Sequence, residues 1–371
     1  MDFTSALYLG ARPVTFPAGL LLTSGRPAAL QEPPWQRQVG QAVARRQGLE
    51  AGLLAPSTLH LFWDVFRLAP RSAVIFIDQT MYPVGQWGSQ RAALRGLPVV
   101  PFRAADLPGL ARRLHVCRQQ GRTPWLLTDG WNLAAGRPAP LARYLALLAP
   151  DPAGVLLVDD TQAFGVLGAR PDDAMPLGSG GGGSLPYLGL RSGKILTITS
   201  LAKGLGVPVA VLAGSAARLA CFERRSEVRV HTSPVSNLHA WAAQEALRHD
   251  ARHGDAARHQ LGQRITAFRQ ALTTAEIEPL GGMFPVQRLL LPRATAALAL
   301  HEQLRRQGIR ALLLADEGRP AVPQLAFCLR ADHSPADIGR VTRCLAALAR
   351  STDWFSPTAH VLIRHEHAPE L

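Results

Sequence analysis

Between residues 72 and 213, short continuous apolar runs recur at regular intervals, and helical patterns fill the gaps between them. The runs are SAVIFID (72–78), LPVVPF (97–102), PWLLTD (124–129), VLLVD (155–159), a stretch opening at Ile195, and VAVLA (209–213). A strand with one face in water alternates apolar and polar residues, whereas a strand buried on both faces does not. Such runs, separated by helical segments such as 107–118 and 141–148, predict an α/β domain with a mostly parallel sheet and helices on both faces. In sheets of this kind ligands gather beyond the carboxyl ends of the strands. Tyr82, Asn132, Asp159 and Lys203 all fall at or just after such ends.

The flanks are organised differently. Residues 1–40 are proline-rich and read as an arm with a short helix; 36–51 has helical spacing and stops at Gly52. Ser57 and Thr58 precede the apolar run LHLFWDVFRL, which is a helix N-cap signal. The free N–H groups of a helix start can also hold a phosphate. The stretch GSGGGGS (178–184) reads as a flexible loop, and 237–272 as one long helix or two. From Gly281 the pattern becomes a smaller α+β arrangement, with strands over 284–291, 309–314 and 324–329 and helices over 295–307 and 334–349. The tail beyond residue 352 is expected to fray. These shifts divide the chain into an N-terminal arm (1–45), a large domain (46–250) and a small C-terminal domain (251–371).

Charge and composition narrow the function. Lys and Arg number 40 against 27 Asp and Glu, a net +13, yet the basic residues are spread out rather than clustered with aromatics. That argues against nucleic acid and leaves room for an anionic small molecule. Only Lys194 and Lys203 among those cations are lysines, which suggests that an amine is needed where one is kept. No apolar run approaches the roughly 18–20 residues of a membrane span, and the first residues lack the pattern of a signal peptide. Cys117, Cys221, Cys328 and Cys344 have no metal-ligand spacing and read as reduced thiols of a cytoplasmic protein. No metal site is expected.

Lys203 lies in ITSLAKGLGVPVAVLAGS, between two apolar runs and beside Gly204 and Gly206. A loop lysine is ordinarily a solvated cation, but one held at a sheet edge can be desolvated into a nucleophile. Asp159 ends VLLVD about forty residues earlier. A carboxylate beneath a bound ring can keep a pyridine nitrogen protonated, and a lysine can form a Schiff base with the ring's aldehyde. Together they are the minimum for pyridoxal phosphate chemistry.

Four stretches resemble one family. VLLVDDTQAFGVLG is similar to LxVDDAHGxGVLG, and TSLAKGLGVPVAVLAGS to TFGKAFGxxGAxVxGS. VHTSPVSNLHAWAAQEAL is similar to YSTSxPPAxxxAxxAAL, and LLTDGWNLAAGRPAPLARYLAL to TDGVFSMDGDxAPLxxIxxL. The pattern is that of the α-oxoamine synthases, within the class I/II aminotransferase superfamily of pyridoxal phosphate fold type I. The likeness runs in register from about residue 45 to 250 and more faintly to 349.

The resemblance implies Lys203 as the Schiff-base lysine and Asp159 as the partner of the pyridinium nitrogen, with Asp160 pointing elsewhere. It implies Ser200, the backbone at Ser57 and Thr58, and Thr232 reaching across a homodimer interface as phosphate ligands. Arg319 takes the place of an arginine for the substrate carboxylate. The departures spare the lysine and the aspartate; they lie in the residues around them and in GRPAALQEPPWQRQ (25–38), which stands where the family carries a glycine-rich segment. Gln162 replaces the histidine of DDAH and can donate a hydrogen bond but cannot act as acid or base. Tyr82 replaces a ring-stacking histidine, and Asn132 stands beside the position of a lost serine. The implied reaction is decarboxylative condensation of an amino acid with an acyl thioester. An aminotransferase or decarboxylase of the same fold, and a degenerate binding subunit, are the alternatives that these departures leave open.

Overall fold

A computed structural model describes residues 1–30, 33–291, 293–314 and 324–351 of the 371-residue chain. Arg319 and the tail beyond residue 352 lie outside the described residues. Two compact units are present. One comprises Ala11–Asn132 and Pro138–Ala256; the other comprises Met1–Gly10, Leu133–Arg137 and the described residues from Ala257 onward.

The first unit is built on a seven-stranded sheet. Its strands are β1 (Ala51–Ala55), β2 (Ala73–Asp78), β3 (Val99–Phe102), β4 (Thr123–Asp129), β7 (Val155–Asp159), β8 (Ile195–Ser200) and β9 (Ala210–Gly214); the short strands β5 (Trp131–Asn132) and β6 (Arg137–Pro138) lie outside it. The spatial order is β1-β9-β8-β7-β4-β2-β3. β3, β2, β4, β7 and β8 pair in parallel, while β9 runs against both β8 and β1. β1 therefore points the same way as the parallel group. The mostly parallel sheet expected from the apolar runs is present.

Consecutive strand residues enter opposite cores. Ala73, Ile75 and Ile77 of β2 pack with Trp125, Leu127, Val155 and Leu157 on one face, against Leu61 and Phe62 of helix α2 (Thr58–Asp64). Val74, Phe76, Leu126, Leu156 and Val158 pack on the other face against Leu110, Leu114 and Tyr144. Both faces are covered, so the residues between the strand ends are nearly all apolar, and the sequence reads as short apolar runs closed by polar residues.

Two local expectations are corrected. The helix at the start of this unit, α1, is Pro34–Gln47, closed by Gly48 at φ 74°, and the residues after it form β1 rather than a helix tail. AGLLA has no polar residue to mark a boundary, and its strand character comes from pairing with β9. The glycine-rich stretch 178–184 is packed rather than flexible. Gly165 N–H donates to Gly181 O, Ala169 bridges Ser179, and Ser184 is fully buried. Glycine recurs here because backbone and carboxylate come too close for a Cβ. At Gly183, φ is +90° and a Cβ would overlap the Asp160 carboxylate.

In the second unit, β10 (Val286–Leu289), β12 (Gln324–Cys328) and β11 (Leu312–Leu314) form an antiparallel sheet in that order, with helices Ala294–Arg306 and Pro335–Ser351. The N-terminal residues belong to it: Asp2 bridges Arg310, and Phe3 is buried 4.4 Å from the His333 ring. The segment 237–272 is part of one continuous helix, Asn237–Thr274.

Candidate functional site

The chain runs outward from β2 to β3 and then returns across β2 to β4. A crevice forms at the carboxyl ends where such an order reverses. Asp78 ends β2 there. Its Oδ1 accepts the Thr80 N–H (3.0 Å) and hydroxyl (2.9 Å), and its Oδ2 accepts the Thr128 hydroxyl (3.2 Å). These bonds turn the chain so that Tyr82 precedes helix α3 (Pro83–Leu94). Tyr82 N–H donates to Asp129 Oδ2 at 3.2 Å, and the residue remains 56% exposed. Asn132 Nδ2 donates to Thr80 Oγ1 at 3.1 Å, which brings Asn132 to the same edge.

Asp129 and Asp159 are register neighbours at the ends of β4 and β7. Asp159 Oδ1 accepts the Thr161 N–H at 3.0 Å. Thr161 Oγ1 in turn accepts the Ser200 N–H at 3.0 Å. Ser200 ends β8, and its hydroxyl accepts the Ala202 N–H at 3.2 Å. Leu201 N–H donates to Val209 O at 2.8 Å, closing the turn that presents Lys203. Lys203 Nζ stands 5.7 Å from the centroid of the Tyr82 ring, within cation–π range. Its positive charge acts on both Asp129 and Asp159. Gln162, half-buried, follows Thr161 directly.

Burial pushes the Asp129 carboxyl well up, and the neighbouring Asp159 charge adds to that rise. Burial also raises Asp159, opposed by its hydrogen bonds from Thr161 and by Lys203. An amine, an aromatic face and a buried carboxylate thus meet at one sheet edge. This is a set that can hold a flat heteroaromatic ring by its carbonyl, its face and its protonated nitrogen.

The remaining candidates are placed as follows. Ser57 caps α2: its hydroxyl accepts the His60 N–H at 3.5 Å and bonds His60 Nδ1 at 2.8 Å, and Thr58 opens the helix. Thr232 follows the short helix Glu227–His231, and its hydroxyl donates to Val228 O at 2.7 Å. With Ser233, Pro56 and His60 it lines a small cavity, which neither Lys203 nor Asp159 lines. Asp129 and Thr161 are additions to the expected set. Asp129 carries the same signal as Asp159, an acid closing an apolar run; Thr161 has no sequence signal beyond its place after the two aspartates.

Asp160 turns away from this group. Its Oδ1 accepts the Ser184 hydroxyl at 2.5 Å and N–H at 3.1 Å, and its Oδ2 accepts Gln47 Nε2 at 3.2 Å. Burial nevertheless lifts its pKa to about 7. Because the folded value lies above the unfolded one, this group's stabilising contribution is complete below about pH 4. It is lost as pH rises to about 7. Asp160→Asn, which cannot ionise, is expected to flatten the pH dependence of the unfolding free energy over that window by roughly 4 kcal/mol, read from urea titrations at each pH. An unchanged pH profile would refute this assignment.

Residues 65–343 match the protein family described as aminotransferase class I and II. The chain is similar to the 8-amino-7-oxononanoate synthase of Acidithiobacillus ferrooxidans, at 30% identity over 311 residues, covering 83% of this chain and 75% of the relative. It is also similar to the protein of the same name from Halorhodospira halophila, at 30% identity over 254 residues, covering 67% and 59%. Among solved structures it is similar to a serine palmitoyltransferase variant from S. paucimobilis with a bound PLP–myriocin aldimine. That match has a TM-score of 0.79 at 17% identity, covering 95% of this chain and 87% of that one.

Proposed function

The chain belongs to the aminotransferase class I and II family, and from that membership and the grouping at the strand ends we infer that it is a pyridoxal phosphate-dependent transferase of the α-oxoamine synthase type, joining an amino acid to an acyl thioester with loss of carbon dioxide. The observation that carries this reading is the convergence of Lys203, Asp159 and Tyr82. Lys203 comes from the turn after β8 and Asp159 from the end of β7. The amine stands beside an exposed ring face and acts electrostatically on the buried carboxylate. The residues fit the cofactor on this ground: an amine and a buried carboxylate are the groups that the two ends of a pyridine aldehyde would need.

When bound, pyridoxal phosphate supplies an electron-withdrawing ring that accepts charge developing at an amino acid's α-carbon. Lys203 Nζ is the group that would hold the cofactor by its carbonyl and would serve as the base for the α-proton. Asp159 keeps the ring nitrogen protonated. Tyr82 covers one ring face, with Asn132 tethered to Thr80 beside it. Gln162 donates to the phenolic oxygen without shuttling a proton. The amides at Ser57 and Thr58, with Ser200 and with the Thr232 hydroxyl brought by a second copy of the chain, would hold the phosphate. Arg319, for the substrate carboxylate, belongs to the proposal on sequence alone.

A homodimer is part of this reading. Leu59 and Trp63 of α2 and Trp87 of α3 are 43%, 45% and 51% exposed on neighbouring helices, an apolar surface suited to a second copy. A cytoplasmic location accords with four free thiols. No helix among the described residues is long and apolar enough to cross a membrane.

The test is stoichiometric. The purified chain with pyridoxal phosphate is given a panel of L-amino acids, with and without acyl thioesters. Carbon dioxide and free thiol are expected in equal amounts, and only when both substrates are present. Keto acid released without thioester would replace this reading with transamination. Failure to take up the cofactor would leave a binding subunit.

A further inference from the structure

In the first unit, the last turn of α1, the loop after β7 and the loop before β8 enclose a cavity of about 530 Å³. That is within the roughly 300–1,000 Å³ of small-molecule sites. Arg45, Arg46, Arg170 and Arg191 line it, and no acid does. Lys203, Asp159 and Tyr82 take no part in it. Arg191 comes before the amino end of β8, whereas Lys203 follows its carboxyl end.

The fold accounts for only part of this charge. Arg45 and Arg46 stand in the last turn of α1, where cations complement the helix dipole. Arg46 is also ion-paired with Asp250 and donates to Leu247 O at 2.7 Å. Arg170 and Arg191 belong to no helix end. Arg170 has φ 54°, in the left-handed region that an arginine rarely adopts. Ala169 just before it is held by two backbone bonds with Ser179, of 2.8 and 2.9 Å. Arg191 lies against the end of α1, where a Cβ on Gly48 would stand 3.8 Å from its Nε. The acids near these residues in sequence are engaged elsewhere or do not line the cavity. Glu50 accepts the Ala216 N–H at 3.0 Å, and Asp172 the Met175 N–H at 2.7 Å; Asp173 is not part of the lining. Among the described residues, Arg45, Arg170 and Arg191 make no ion pair. Like charges gathered without a counter-charge repel, and a bound anion relieves that repulsion.

We propose that this cavity binds an anion carrying a diphosphate group, with Arg45, Arg170 and Arg191 as its ligands. A guanidinium fork pairs with two phosphate oxygens at once, and three guanidiniums match the roughly three negative charges of a diphosphate ester near neutral pH. The floor is fixed by Gln47, which is 1% exposed. Gln47 Nε2 donates to Asp160 Oδ2 at 3.2 Å and to Thr199 Oγ1 at 3.1 Å, and Oε1 accepts the Thr197 hydroxyl at 2.8 Å. Pro186 and the half-buried Tyr187 line the remaining wall, a surface suited to the ring of a nucleotide. The site is independent of the pyridoxal phosphate reading.

The experiment is calorimetric titration of the full-length chain with ADP, pyrophosphate and adenosine at about 0.15 M salt, where dispersed surface charge is screened. It is done with and without one equivalent of pyridoxal phosphate. ADP is expected to bind once per chain, equally in both conditions, and adenosine not at all. A hydrogen bond to a charged group sets the scale, so Arg170→Gln, and Arg45→Gln combined with Arg191→Gln, should each weaken ADP about tenfold or more. Arg112→Gln combined with Arg122→Gln removes the same charge as the double variant from arginines outside the cavity and should change binding less than about twofold. ADP binding tighter than pyrophosphate would assign the diphosphate to a nucleotide, and equal binding to free polyphosphate. No binding of either anion, adenosine binding as tightly as ADP, or equal losses in the two double variants would overturn the proposal. So would displacement of ADP by the single equivalent of pyridoxal phosphate. A chain that binds ADP but takes up no pyridoxal phosphate would sink the cofactor reading and leave this one standing.

Discussion

Lys203→Ala is expected to lower kcat/KM for the two-substrate reaction by about 10³-fold or more, because it removes both a covalent anchor and a positioned base. The protein should otherwise be intact. Lys203 sits in a turn closed by the Leu201–Val209 backbone bond, in which its own side chain takes no part. The circular dichroism spectrum should therefore match that of the parent, and borohydride should no longer fix the cofactor to the peptide containing residue 203. Asp159→Asn is the companion variant. It keeps the shape of the carboxylate and the Thr161 N–H contact but cannot stabilise a protonated ring nitrogen. A loss of about 10²-fold in kcat with smaller change in KM would fit a group whose worth is realised in the transition state. Lys203→Ala retaining activity within about tenfold of the parent would contradict the assignment, since removal of a true positioned base costs at least about 10².

The largest structural effect is expected at Gly183. Its φ of +90° disfavours any L side chain, and a Cβ would occupy the space of Asp160 Oδ2. Asp160 cannot give way freely, because Ser184 and Gln47 hold both of its oxygens. Gly183→Ala therefore carries the cost of a left-handed backbone and the cost of buried hydrogen bonds lost when the carboxylate moves. Together these amount to about 3–5 kcal/mol, read as a fall in the urea midpoint. Gly180→Ala is the control. Gly180 has φ +80° in the same stretch, but a Cβ there meets nothing within 4 Å, so only the backbone cost of about 1 kcal/mol remains. Equal losses in the two variants would show that the contact with Asp160 is unimportant.

These two cases mark what could be read from the residues. Asp159 and Lys203 were legible because an acid or an amine closing an apolar run has few structural reasons to be there. The same logic applied to Asp129 in PWLLTD, yet a second acid one strand away becomes meaningful only when the register places it beside the first. Thr161 was silent, since its hydrogen bonds run to two segments distant from each other in the chain. The central strands were legible because both faces are buried. β1 was not, because AGLLA follows a helix and carries apolar residues that suit either state. The glycine stretch misled through composition: the same absence of side chains that permits flexibility also permits close packing, and the deciding neighbour, Asp160, is remote in sequence.

The place of β1 bears on how the polypeptide is born. Ala51 pairs with Gly214 and Ala55 with Ala210, so the first strand synthesised has to wait for nearly the whole first unit before its partner leaves the ribosome. Until then Leu53 and Leu54, both buried in the finished protein, are displayed on a nascent chain with an open edge, the condition under which holding chaperones act and stalled fragments clump. Truncations ending before residue 210 should thus be insoluble even though five parallel strands precede that point.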